Sequence, residues 1–227
     1  MLQVITTNIS CNFTFKKGNP IKWDTFIKHL KSLNIKHMVG GEAVDDSGSK
    51  YQALAAILKN GQVAYIPDRS IIDIKSNNLD DLMEIATEVY AIFTDIFKTE
   101  KRLKDNLKLI ELHLIQEVEP EFAAPLEILH LITPNELFNP FKQIFDGKNL
   151  DMFTYRFYYT PSKIDNNIKT IIPWYDVQVF PQITNPDRFI FDIVCRDNEF
   201  TTSKTRCIEL KDKLFEFIED WEAMVKK

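Results

Sequence analysis

The pattern of apolar and polar positions opens on an alternation: residues 5–15 read Ile-Thr-Thr-Asn-Ile-Ser-Cys-Asn-Phe-Thr-Phe. Period two over that length predicts a half-buried strand. Ile5, Ile9, Cys11, Phe13 and Phe15 face a core; Thr6, Asn8, Ser10, Asn12 and Thr14 face away. Asn19-Pro20 then reads as an N-cap with proline in the first helical position, and Trp23, Phe26, Ile27, Leu30 and Leu33 form one stripe behind it. Strands are predicted at 36–44, 51–59, 62–66 and 70–75, with Asn60-Gly61 as a tight hairpin turn whose two residues take positive φ. Asn78 caps a long helix with Asp80 and Asp81 in its first turn and Leu82, Ala86, Val89, Phe93 and Ile96 on its buried side.

A charged stretch at 98–105 reads as a junction, after which the order repeats. Residues 107–119 form a strand. Residues 122–145 form short helices, restarted at Thr133-Pro134 and Asn139-Pro140 and ended by Gly147. Strands follow at 152–160, 171–180, 189–196 and 199–202, with Asp197-Asn198 in the place of Asn60-Gly61. A last helix from Ser203 carries Cys207, Leu210, Leu214, Ile218, Trp221 and Val225 on one face, and Phe215 beside it widens an aromatic surface. The reading is α+β: two β-α-β(3-4)-α pseudo-repeats, residues 1–100 and 101–227, that share one curved antiparallel sheet with helices packed on one face.

That duplicated order resembles the TATA-box-binding protein fold. The element order carries the resemblance along nearly the whole chain. At residue level it rests on 5–15 and on 54–64, Leu-Ala-Ala-Ile-Leu-Lys-Asn-Gly-Gln-Val-Ala. It implies two similar halves in one curved sheet with helices on the convex side. The family kinks DNA with phenylalanine pairs beside the hairpin turns, and 55–58 and 63–66 contain none. The resemblance therefore implies an architecture and no function.

Composition narrows the classes. With 44% hydrophobic and 27% charged residues, the chain has material for a sizeable core and is no disordered or collagenous sequence. No run approaches the apolar length of a membrane span, and Met1-Leu2-Gln3-Val4 does not open a signal peptide. Three scattered cysteines, Cys11, Cys195 and Cys207, build neither a disulfide framework nor a zinc knuckle, so the expected setting is a reducing cytoplasm. Six glycines leave no phosphate-cradling loop, and no cofactor is expected.

Candidate chemistry lies on the outward strand residues. On 107–119 the set Ile110, Leu112, Leu114 and Val118 faces the core, which leaves Glu111, His113, Ile115, Glu117 and Glu119 outside. The same alternation exposes Arg156, Asp176, Asp192 and Arg196 on neighbouring strands. A curved sheet gathers Glu111, His113, Arg156, Asp176 and Asp192 onto one surface, where carboxylates beside an imidazole are the raw material of acid–base chemistry or a metal site. The competing reading is a set of cross-strand ion pairs, Arg156 and Arg196 against Glu111, Asp176 and Asp192. No spacing matches a metal signature, and no catalytic residue is assigned. The net charge of −5 and the acidic outward residues argue against strong duplex binding. The favoured expectation is a non-enzymatic binding or scaffold protein whose sheet or helical face engages a macromolecule. A protein partner or self-association, including a homodimer, is expected ahead of nucleic acid, with no membrane. The alternative is an enzyme or small-ligand binder using the five residues.

Overall fold

The computed structural model describes residues 2–16, 21–30, 35–44, 47–132, 153–160 and 171–225. Among them the chain runs β1 (Gln3–Phe15), α1 (Trp23–Leu30), β2 (His37–Val44), β3 (Lys50–Ile57), β4 (Gln62–Ile66), β5 (Ile71–Ser76), α2 (Leu79–Phe97) and α3 (Glu100–Asn106). It continues as β6 (Leu107–Glu119), α4 (Pro125–Ile132), β7 (Tyr155–Tyr159), β8 (Trp174–Gln182), β9 (Asn185–Asp197) and α5 (Phe200–Val225). The fold is α+β. Every strand joins one antiparallel sheet in the order β2-β3-β4-β5-β1-β6-β9-β8-β7. Among the described residues no helix is long and apolar enough to cross a membrane.

Alternation decides which face is covered. Ile9, Cys11, Phe13 and Phe15 of β1 and Ile110, Leu112, Leu114 and Val118 of β6 are buried in one core with residues from all five helices. Phe13 anchors it, with ring centroids 5.1 Å from Phe93 and 5.8 Å from Phe200. The aromatic side of α5 packs inward: Phe215 meets Phe191 edge-on at 5.4 Å, and Phe217 stacks on Tyr155 at 6.0 Å. The described helices thus lie on one face, and among the described residues no helix covers the opposite face. Ile5 departs from the alternation. The β1–β6 register slips between Val4 and Thr6, so Ile5 is the extra residue of a bulge and is only half-buried.

Other expectations are corrected by local chemistry. The stretch 98–105 contains a helix, α3: the Thr99 hydroxyl accepts the Arg102 N–H at 3.2 Å, and Leu103 is fully buried. Residues 199–202 are not a strand. The Asp197 carboxylate accepts the N–H groups of Asn198 (2.7 Å) and Glu199 (3.2 Å), and the chain passes directly into α5. The hairpin turn of the second half is instead Ile183-Thr184, between β8 and β9. Asn60-Gly61 does end a hairpin, but through a four-residue connection closed by Leu58 N–H to the Gly61 carbonyl at 2.8 Å. Gly61 does not take a positive φ; it is needed because a Cβ there would stand 2.4 Å from the Lys75 carbonyl oxygen. Asn78 caps α2 as expected, accepting from Asp80 and Asp81 N–H. The expected Asn19-Pro20 start, Leu33, the restarts at Thr133-Pro134 and Asn139-Pro140, and Gly147 lie outside the described residues.

Candidate functional site: the open sheet face

Strand registers set the open face out in rows. One row runs Val39, Ala55, Ala64, Asp73, Asn12, Glu111, Arg196, Trp174 from β2 to β8. The next runs His37, Ile57, Gln62, Lys75, Ser10, His113, Val194, Asp176, Tyr158 from β2 to β7. A third carries Asn8, Ile115, Asp192, Gln178 and Arg156. Glu111, His113, Arg156, Asp176 and Asp192 therefore share this face, spread over four strands and three rows.

They do not converge on one point. His113 Nε2 and Asp192 Oδ1 lie 2.8 Å apart, and Arg156 donates to both oxygens of Asp176 at 3.1 and 2.6 Å. Arg196 Nε donates to Glu111 Oε2 at 2.8 Å. Arg188 reaches Glu117 at 2.8 Å and Glu119 at 2.9 Å. The hydrogen bond that His113 donates to Asp192, with the field of Asp192 and Glu111, raises the His113 pKa against the opposing effect of burial. Among the described residues no three His, Cys, Asp or Glu side chains gather as a metal site. The second half of the face is a ladder of neutralised ion pairs, with Tyr158 stacked on Trp174 at 4.7 Å beside it.

The first half is different. Ala55, Ala64, Ile57, Ile66 and Ile71 present a low, apolar, partly exposed surface. Between the two halves runs the outward row of β1. Among the described residues the side chains of Asn8, Ser10, Asn12 and Thr14 have no hydrogen-bond partner. Ser10, Asn12 and Thr14 line a depression of about 520 Å³ together with Arg69, Asp73, Lys75, Glu111 and Arg196. At its rim the Arg69 guanidinium lies 4.4 Å from the centre of the Tyr51 ring.

Asp73 is the residue that reading outward acids in the second half alone missed. It alternates with the buried Ile72 and Ile74, so the pattern places it outward, but nothing marked its isolation among alanines and isoleucines. Its Oδ1 is buried without a hydrogen-bond partner among the described residues, and Lys75 Nζ stands 3.4 Å from Oδ2. Burial raises its pKa, and Lys75 only partly opposes that shift. No protein-family model matches the sequence, and no curated protein matches it.

Proposed function

We propose that this protein is a cytoplasmic, non-enzymatic binding or scaffold protein whose open sheet face engages a protein partner. The observation that carries the reading is the central row Asn8, Ser10, Asn12 and Thr14, whose hydrogen-bonding capacity is unused between an apolar zone and a closed ion-pair zone. Apolar surface flanked by available polar groups is the composition of a protein-binding patch. Glu111, His113, Arg156, Asp176 and Asp192 form its charged flank. The binding reading is favoured over catalysis because His113 is held by Asp192 rather than left to serve a substrate. It is favoured over duplex binding because Arg156, Arg188 and Arg196 are engaged by carboxylates, while phosphate contacts need available cations. Three buried free thiols suit a reducing compartment.

The architecture belongs to the same proposal: two pseudo-repeats in a curved sheet of the TATA-box-binding type. Its support is the strand order read outward from the centre, β1-β5-β4-β3-β2 on one side and β6-β9-β8-β7 on the other, each half closed by a long helix, α2 or α5.

The test compares partner recovery and thermal midpoint for wild type, Ser10→Arg, Asn12→Arg, Glu111→Ala and His113→Ala, with Lys101→Glu on α3 as control. The face variants are expected to lose a partner that the control retains, with the midpoints of Ser10→Arg and Asn12→Arg unchanged. Retention by all four face variants, or tight duplex binding with a steep salt dependence, overturns the proposal.

A further inference from the structure

We infer that β2 is a dimerisation edge, to which the β2 strand of a second copy of this chain adds antiparallel. β2 is an outermost strand, paired through eight consecutive positions with β3 and, among the described residues, with nothing on its other side. An outer strand presents unpaired N–H and C=O groups, and monomeric proteins blunt it with proline, lysine, a bulge or a covering element. Among the described residues β2 has none of these. Its register with β3 is unbroken, its sequence His-Met-Val-Gly-Gly-Glu-Ala-Val lacks proline and lysine, and Glu42 is already held by Lys50 at 2.7 Å. Met38 and Val44 are each 58% exposed and Val39 52%. The opposite outer strand, β7, has five residues against eight and carries Arg156.

The sequence of β2 selects a register. A two-fold axis perpendicular to the sheet keeps both open faces on one side only if opposed residue numbers sum to an even value, because side chains alternate. With the axis at Gly41, Met38 lies opposite the partner's Val44, which joins the two most exposed apolar side chains of the strand. Glu42 then faces the partner's Gly40, and no like charges are opposed. An axis at Gly40 would instead set Met38 against the partner's Glu42. The Gly41 register makes one continuous sheet of both copies.

Sedimentation equilibrium of the full chain is expected to show a dimer of the 26.5 kDa protomer, with dissociation in the micromolar range for so short an edge. Gly41→Cys fits without strain, since a Cβ there meets no atom within 4 Å. Opposed Cα atoms on the axis lie about 4.5–5.5 Å apart, within disulfide reach. Copper phenanthroline should therefore link Gly41→Cys chains quantitatively; two thiols form one S–S bond, and their two protons and two electrons pass to solvent and oxidant. Val39→Cys, displaced from its own copy along the strand, should not link. Met38→Glu with Val44→Glu opposes carboxylates and should weaken the dimer at least tenfold, whereas Met38→Lys with Val44→Glu should restore it. A monomer at about 100 µM, a dimer that Gly41→Cys does not link, or one indifferent to both charge variants overturns the inference.

Discussion

Arg196 stands directly opposite Glu111 across the β6–β9 pairing, and the two side chains are 11% and 25% exposed. Removing one partner of a mostly buried pair leaves a charge without compensation, while replacing both with apolar groups of similar size does not. Arg196→Met should cost about 2 kcal/mol, below the figure for a fully buried pair. The double variant Arg196→Met with Glu111→Leu should recover most of that loss. Urea unfolding of the four species of this cycle measures it.

His113 offers a readout in pH. Its pKa is raised in the folded chain, chiefly by the hydrogen bond to Asp192. The stabilisation from the pair is thus fully present below the unfolded value near 6.5 and is lost as pH rises through the higher folded value. Both side chains are about one-third exposed, so the effect on stability stays below about 1 kcal/mol. A proton NMR titration should place the His113 midpoint higher in wild type than in Asp192→Asn.

Asp73 works in the same sense at lower pH, but through burial rather than a partner. Its folded pKa is raised by burial, so the folded chain holds that proton more tightly than the unfolded chain does. Stability accordingly falls as pH rises from the unfolded value near 4 through the folded value. Asp73→Asn should remove this slope and stabilise the protein at neutral pH by about 1 kcal/mol, or about 2–4 °C in thermal midpoint. An unchanged or lower midpoint at pH 7 would show that the carboxylate is compensated in solution.

Gly61 is the last residue of the β3–β4 connection and packs against the Lys75 backbone of β5. Gly61→Ala forces a methyl against the Lys75 carbonyl oxygen and the Ile85 side chain and should cost about 1–3 kcal/mol by thermal unfolding.

Much of this fold was legible because alternation is a strong signal where one sheet face is buried. Ile9 to Phe15 and Ile110 to Val118 could face only one way. Turn chemistry was less legible. Asp197-Asn198 has the composition of a hairpin turn, yet its carboxylate binds the backbone that starts α5, which no local pattern separates from a strand end. The outward character of Glu111, His113, Arg156, Asp176 and Asp192 was readable from period two. Their partners were not, because a diagonal such as His113–Asp192 depends on registers between strands far apart in the chain. Asp73 escaped notice for a related reason: its isolation becomes visible only when Ala64 is placed beside it.

The central pairing of β1 with β6 has a consequence for how the chain is made. β1 finds its first partner, β5, within the N-terminal half, and its second, β6, only after α2 and α3 have been synthesised. A nascent chain emerging N-terminus first can complete β2 to β5 against β1 while the far edge of β1 stays bare. On a crowded polysome that edge is open to the β6 strand of a neighbouring chain, the reciprocal exchange that yields swapped dimers. The Ile5 bulge sits at one end of this edge, where it disrupts the template and shortens the stretch a foreign strand can follow.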